Sequence, residues 1–279
     1  DYMEIEDWYV EYATGSVSNR NQVCKISDFS KIAKTAAGSE IYRSMFLYDE
    51  TIVNHLKENK TVMQFKGEQN VDKLVIDIDY IKNDNDKGNQ TRKKVIDVID
   101  KMEKLLIDPL NYNIWFSGRG FHIHLGNVYG FKKSNKLALQ VRATMQRDFG
   151  EYIDLIYDSR RLIRAGFSYH KKSSLYKIPI SYEELENDSY EKITTLAKER
   201  RTDYVPHKIV SERIESLEPM DMSRKNVNEV RKVFNNAKGE TTRFITCAQH
   251  IYNAGHVSSK RHKHLLALVS IWRKKYAFN

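Results

Sequence analysis

Apolar residues along the chain follow two periods, and the change between them predicts where strands and helices lie. Strand-like stretches occur at 61–65, 73–80, 111–116, 121–125 and 173–181. Apolar residues spaced by three and four occur at 26–37, 48–59, 92–107 and 133–149. Alternating apolar and polar residues indicate a strand, and apolar residues three and four positions apart indicate a helix. The predicted order from 73 onward is therefore strand, helix, strand, strand, helix, strand. This order predicts an α+β fold with an antiparallel sheet.

The pattern also divides the chain into three parts. We predict an N-terminal α/β scaffold at 1–65, an α+β core at 66–210 and a small all-α domain at 211–279. The last part is assigned from three helical patterns, marked by the apolar residues Val227, Val230, Val233, Phe234, Phe244, Cys247, Ala248, Ile251, Leu265, Leu268, Val269 and Trp272. A charged stretch at about 182–224 connects core and helices.

Composition places the chain among folded proteins without a membrane span. Of 279 residues, 41% are hydrophobic, which is enough for a substantial core. No apolar run is long enough to cross a bilayer, and the start of the chain is acidic rather than signal-like, so we expect a cytoplasmic protein. Cys24 and Cys247 lack metal-ligand spacing, so no zinc site is expected. Because the chain begins at Asp1 and stops right after a helical pattern, we expect a piece of a longer protein.

Positive charge is concentrated in one stretch of the core. Lys and Arg number 46 against 37 Asp and Glu, which gives a net charge of +9 and favours a polyanionic partner. No acid occurs from Ser159 to Ser181. The cations around this stretch are Arg160, Arg161, Arg164, His170, Lys171, Lys172 and Lys177. Clustered like charges indicate an anion-binding surface, although a solvated basic face is the alternative.

Two acids interrupt the apolar strand at 73–80. Asp77 and Asp79 share one face, because successive strand side chains point to opposite faces, and their backbones are about 6 to 7 Å apart. Two carboxylates this close repel each other. The pattern therefore predicts either a site for a divalent cation or a solvated strand end.

A glycine-flanked turn lies between the strands at 111–116 and 121–125. Its free backbone amides, together with Ser117, Arg119 and His122, would form a donor site for phosphate. The alternative is a simple hairpin turn with a solvated Arg119. We interpret His124 as structural, paired to a neighbouring group on the sheet.

Taken in order, three motifs resemble those of the archaeo-eukaryotic primases and their phage and plasmid primase-polymerase relatives. The motifs are VIDIDY at 75–80, WFSGRGFHIHL at 115–125 and IDLIYDSRRLIRAGFSYHKKSSLYKIPI at 153–180. The resemblance implies a primase catalytic core with a sheet like that of RNA-recognition domains. Two departures are the missing zinc-binding cysteines and Ala165-Gly166 in place of a proline, and the first points to the phage or plasmid branch.

The resemblance also implies a role for individual residues. Asp77, Asp79 and a third acid would bind two Mg²⁺ or Mn²⁺ ions; Asp154 fits the third position best, and Asp158 is the alternative. The residues that would bind the nucleotide are Ser117, Arg119, His122, Arg164, Ser168, His170 and Lys172. The oxygen-only ligand set agrees with magnesium or manganese rather than zinc.

The implied activity is template-dependent primer synthesis, with single-stranded DNA and nucleoside or deoxynucleoside triphosphates as partners. No P-loop motif occurs in the sequence, so a replicative helicase would lie beyond Asn279 or act in trans. Two alternatives are a non-catalytic nucleic-acid-binding module and a metal-dependent nuclease.

The helical tail contains one further candidate site. Ser258 or Ser259 is a candidate N-cap, and cations occupy the first turn, where the helix dipole favours anions. We therefore expect Lys260, Arg261 and Lys263 to contact nucleic-acid phosphate, with a solvated basic helix end as the alternative.

Overall fold

The computed structural model describes residues 5–36, 38–81 and 86–222. Its strands are β1 (Tyr9–Thr14), β2 (Gln22–Lys25), β3 (Ile41–Ser44), β4 (Leu47–Tyr48), β5 (Gln69–Asn70), β6 (Lys73–Ile78), β7 (Tyr112–Phe116), β8 (Phe121–Gly126), β9 (Leu162–Arg164), β10 (Tyr169–His170), β11 (Leu175–Tyr176) and β12 (Ile178–Ile180). Its helices are α1 (Ile26–Thr35), α2 (Thr51–Asn59), α3 (Lys87–Lys104), α4 (Leu137–Phe149), α5 (Tyr182–Asn187) and α6 (Tyr190–Leu196). The predicted α+β class is confirmed.

A four-stranded antiparallel sheet forms the centre of the core. Its strand order is β6, β8, β7, β12, and β6 and β12 are its edges. One face packs on α3, where Val95, Val98, Ile99 and Met102 are all fully buried. Each such side chain stabilises the fold by about 1.5 to 3 kcal/mol on burial. The helical spacing at 92–107 is thereby explained, because one stripe of the helix covers the sheet.

Helix α3 ends earlier than its apolar pattern predicts. Leu105 caps the helix, and Leu106 adopts the left-handed conformation with φ of 61°. Leu106 is 73% exposed, so it does not belong to the buried stripe. The chain then turns through Pro109 into β7.

The N-terminal residues form a second antiparallel sheet. Its order is β5, β4, β1, β3, β9, and β2 pairs with the other side of β1. Strand β9 comes from the cation-rich stretch, so later residues complete this sheet. The predicted strand at 61–65 is wrong: Val62 and Phe65, three residues apart, form a turn that packs against α2.

A buried ion pair joins the two sheets. Arg43 on β3 donates from Nη1 and Nη2 to the two carboxylate oxygens of Asp72, at 2.9 and 2.8 Å. Asp72 directly precedes β6. The attraction of Arg43 and Lys73 outweighs burial and holds the pKa of Asp72 far below its ordinary value. The N-terminal end of β6 is therefore anchored by a complete, two-pronged ion pair.

The charged connection forms two short helices and then an extended segment. Ser181 and Ser189 cap α5 and α6 with their side chains. The segment at 197–222 is bonded to the core, for example through the side chain of Asn113, which donates to the His207 carbonyl at 2.9 Å. In the part of the chain that the structure describes, no helix is long and apolar enough to span a membrane. The three predicted C-terminal helices and Lys260, Arg261 and Lys263 lie outside the described residues.

Candidate active site

The C-terminal end of β6 carries the two acids of the D-x-D motif. Asp77 is on the strand with 16% of its side chain exposed, and Asp79 follows the strand in solvent contact. The turn before β8 presses against this end, since a Cβ at Gly120 would lie 2.4 Å from the carbonyl oxygen of Ile78. Only glycine permits this approach between the turn and the acid pair.

A third acid is brought to the pair from a distant part of the sequence. The backbone N–H of Asp154 donates to the carbonyl of Asp77 at 3.1 Å, in an isolated antiparallel bridge. Asp158 lies elsewhere: its carboxylate accepts from the N–H of Arg160 at 3.1 Å, and its charge acts on Arg20 and Tyr48. Of the two candidates for the third acid, the structure places Asp154 beside the pair.

The three acids crowd one another. Burial raises the pKa of Asp154, and the negative charges of Asp79 and Asp77, with a hydrogen bond to Asp79, raise it further. For Asp77, burial acts in the same direction, but His122, Arg161 and Lys177 outweigh it and leave the pKa of Asp77 below its ordinary value. The Asp79 and Asp154 end of the cluster therefore has a surplus of negative charge.

His122 stands opposite Asp77 in the register of β6 and β8. Its Nε2 is 3.3 Å from Asp77 Oδ1, and its Nδ1 is 2.8 Å from Lys177 Nζ. Burial and the Lys177 charge lower the pKa of His122. His124 contacts Lys177 at 2.9 Å and stacks on Trp115, so it packs within the protein between the sheets.

The glycine turn meets the cation-rich stretch at Gly118. This residue has φ of +93°, and a Cβ there would lie 2.9 Å from Ser173 Oγ and 3.3 Å from His170 Nδ1. Arg164 donates from Nη1 to the carbonyl of Ser117. The turn, Arg164 and His170 are therefore in direct contact, although they are far apart in the sequence.

The exposed groups around this contact are mostly cationic. Arg119 and Lys172 are exposed at the turn and beside His170. Burial and the charge of Arg164 lower the pKa of His170 to about 4, so its ring is neutral at physiological pH. His170 Nδ1 is 2.7 Å from Ser173 Oγ, and this contact fixes the position of the ring beside the turn.

Two predicted nucleotide-binding residues are buried beside this surface: His122, whose two ring nitrogens contact Asp77 and Lys177, and Ser168. Ser168 is 1% exposed, and its hydroxyl donates to the carbonyl of Ala165 at 2.7 Å. Its role in the structure is to hold the bend after β9, because the hydroxyl is already satisfied by backbone.

Four further residues belong to the site but were not among the predicted site residues. Arg161 acts on Asp77, and Lys94 on α3 acts on Asp154. Tyr42 contacts Arg164, and Ser173 contacts His170. Arg161 belonged to the cation-rich stretch, but Lys94 carried no signal, because it is one of several lysines on a helix surface.

The three acids match divalent metal ions in chemistry. Their donor atoms are all carboxylate oxygens, which suit Mg²⁺ or Mn²⁺, and their mutual repulsion is what a cation would relieve. Within residues 5–36, 38–81 and 86–222, no three His, Cys, Asp or Glu side chains form a ready-made ion cage.

Comparisons with known proteins find similarity in structure but not in sequence. No protein-family model and no curated protein matches the sequence. Among solved structures, the chain is similar to the polymerase domain of Mycobacterium tuberculosis Ligase D in complex with DNA, with 15% identity and a TM-score of 0.38. The similarity covers 68% of this chain and 81% of the other.

Proposed function

We propose that the chain is a template-dependent nucleotidyltransferase that synthesises nucleic-acid primers from nucleoside or deoxynucleoside triphosphates. One observation carries the proposal: Asp154 is bonded to Asp77 beside Asp79, and the glycine turn of the neighbouring strand meets Arg164 and His170. An acidic site for cations thus adjoins a basic site for phosphate, as transfer of a nucleotide requires.

Asp77, Asp79 and Asp154 would hold two divalent ions, Mg²⁺ or Mn²⁺. Such ions, when bound, lower the pKa of an attacking 3′-hydroxyl and neutralise a leaving pyrophosphate. A bound ion would offset the mutual repulsion of these acids, which bind metal as deprotonated carboxylates.

The remaining residues bind and orient a triphosphate. Arg119 and Lys172 supply exposed positive charge, and the backbone amides at 118–120 would supply neutral donors, since the Ser117 amide already donates to the Gly120 carbonyl. Arg164 is already fixed to the turn by its bond to Ser117, so its remaining N–H groups are pre-oriented. Because the nucleotide is held by hydrogen bonds and charge, no covalent nucleophile is needed.

The alternative of a nucleic-acid-binding module with a stacking sheet has little structural basis. Such a module presents aromatic side chains on the open face of its sheet. Here Trp115, on the same face as His122 and His124, is 6% exposed and is covered by Phe167. A nuclease would use the same acids, so it must be distinguished by experiment.

The test is incorporation of labelled nucleotides on a single-stranded template, with and without a primer, in magnesium or manganese. We expect products in the wild type and none with Asp79→Asn. A labelled strand incubated without nucleotides serves as the nuclease arm. Strand cleavage without incorporation would refute the proposal and favour a nuclease.

The C-terminal contact and the helicase are further parts of the proposal. Replacing Lys260, Arg261 and Lys263 with Ala should weaken single-stranded DNA binding and make its affinity less dependent on salt. With fewer phosphate contacts, binding releases fewer counterions from the DNA. Unchanged affinity and salt slope would remove the template contact from the proposal. A helicase, in cis or in trans, would open the template.

A further inference from the structure

A fully buried lysine lies directly behind the acid site. Lys177 joins β11 to β12, and none of its surface is exposed. Burying an ammonium group is strongly unfavourable unless its hydrogens find acceptors. The positive charges of Arg164, Lys73 and Arg43 add repulsion, and Asp77 provides attraction. Burying a lysine at this position lowers the stability of the fold, which indicates that its amino group has a role that an apolar side chain could not replace.

The ammonium has three neighbours at hydrogen-bonding distance. Lys177 Nζ is 2.8 Å from His122 Nδ1, 2.9 Å from His124 Nε2 and 2.9 Å from the carbonyl oxygen of Arg164. An ammonium has three hydrogens and no acceptor. Burial lowers the pKa of Lys177 well below its ordinary value, and each of the three neighbours can accept one hydrogen from the charged form.

The partners determine where the hydrogens lie. The Asp77 carboxylate only accepts, so His122 Nε2, 3.3 Å away, carries the hydrogen and donates it. A neutral imidazole has a single N–H, which leaves Nδ1 of His122 as a bare acceptor for Lys177. The Arg164 carbonyl also only accepts. Two of the three hydrogens of Lys177 are therefore assigned from their partners alone.

We propose that Lys177 is a positioning residue that fixes His122 as the Nε2–H tautomer, with that N–H directed at the acid site. A histidine ring can otherwise carry its hydrogen on either nitrogen, and the contact of one nitrogen selects the hydrogen on the other. Lys177 also holds the backbone of Arg164. It thereby ties the histidine of the turn strand to the arginine of the phosphate site.

The consequence for activity rests on the proposed function, whereas the tautomer is a property of the protein alone. The test therefore begins with the full chain labelled with ¹⁵N-histidine, without nucleotide or metal. Long-range ¹H–¹⁵N correlation at pH 7 distinguishes protonated from bare ring nitrogens. The His122 signals are assigned by their loss in His122→Gln. We expect a protonated Nε2 and a bare Nδ1.

Two variants separate positioning from general stability. In Lys177→Met, we expect the His122 signals to move toward a mixture of tautomers and the kcat for incorporation to fall about 10- to 100-fold, as for other supporting partners of site histidines. Lys73→Met removes a neighbouring lysine that pairs with Asp72, and should leave the His122 signals unchanged.

A wild-type His122 protonated on Nδ1 would overturn the proposal, and this result needs no variant. Folded Lys177→Met protein with wild-type His122 signals would also overturn it. If Lys177→Met does not fold, Asp77→Asn decides, because the asparagine amide can donate or accept and no longer selects the tautomer. A protonated Nε2 and a bare Nδ1 in that variant would support selection by Lys177, and a mixture of tautomers would overturn it. If the tautomer is fixed by Lys177 but the wild type incorporates no nucleotide, the proposed function fails and the assignment of the tautomer stands.

Discussion

The carboxylates at the two ends of β6 have opposite charge surroundings, and their pKa values are shifted in opposite directions. At the start of the strand, Asp72 forms a two-pronged ion pair with the buried Arg43, and its pKa is far below the ordinary value. At the other end, Asp154 is crowded by Asp79 and Asp77, and its pKa is raised. At the first end a cation outweighs the burial of the acid, whereas at the second the charges of Asp79 and Asp77 outweigh that of Lys94 at Asp154. The difference supports the proposal that the first end stabilises the fold and that the second would bind a cation.

The largest expected effect concerns activity at the crowded end. Asp77→Asn or Asp79→Asn should reduce nucleotide incorporation about 10²- to 10³-fold or more, because metal assistance contributes several kcal/mol to the transition state. Incorporation by folded protein is the measurement, and circular dichroism checks folding. Activity within a factor of ten of the wild type in either variant would contradict the role of the pair.

The next effect concerns stability at the paired end. Arg43→Met should lower the free energy of unfolding by about 3 kcal/mol, because it removes the two-pronged partner of Asp72 and leaves it only the longer contact with Lys73. Urea unfolding followed by circular dichroism measures this loss. The matched control is Lys25→Met, which breaks an exposed pair with Asp7 and should cost less than about 1 kcal/mol. Equal losses in the two variants would show that the Arg43 pair is not an anchor.

The pH dependence of stability should differ between the two ends. The pKa of Asp72 is lowered, so its contribution is present above the ordinary value of 3.8 and is lost as pH falls below it. The pKa of Asp154 is raised, so its charge destabilises the fold at neutral pH, and this cost disappears as pH falls through the raised value toward 3.8.

Two variants make that contrast measurable by unfolding from pH 8 to pH 3. Asp154→Asn should be more stable than the wild type at neutral pH and lose this advantage in acid. Asp72→Asn should be less stable at neutral pH, and the gap should narrow only below about pH 4. A stability advantage of Asp154→Asn that does not change with pH would mean that charge crowding is not its cause.

The smallest expected effect comes from a cation beside the third acid. Lys94→Met removes a positive charge that acts on Asp154. Mn²⁺ binding should tighten about twofold at low ionic strength, because removing a partly exposed positive charge relieves a few tenths of a kcal/mol of repulsion on the ion. Added salt should erase the difference. A weaker affinity in Lys94→Met would indicate that the lysine orients the acid instead.

Much of the fold was predictable because elements that bury one face have apolar residues that recur at the period of a strand or a helix. Strands β6, β7 and β8 and helices α3 and α4 lie close to their predicted positions, since each covers one face of the main core. The error at 61–65 arose because Val62 and Phe65 are buried singly against α2, and a short apolar run does not distinguish a strand from a turn.

The candidate site was predictable where adjacent residues share a motif. Asp77, Asp79 and the glycine turn were selected from local spacing, and the resemblance added Asp154. The pairing of Arg43 with Asp72 joins two separate segments, so no local pattern reveals it. Lys177 was assigned to a basic surface from its neighbours in sequence, but the fold turns it inward onto two histidines.

The most direct test of the difference between the two ends of β6 is Mn²⁺ binding, measured by titration calorimetry on the wild type, Asp154→Asn and Asp72→Asn. The acids at the crowded end should bind the ion, so the wild type and Asp72→Asn should bind with similar affinity and Asp154→Asn at least about tenfold more weakly. Equal binding by Asp154→Asn and the wild type, or no binding by any of the three, would contradict the assignment of a cation site to this end of β6.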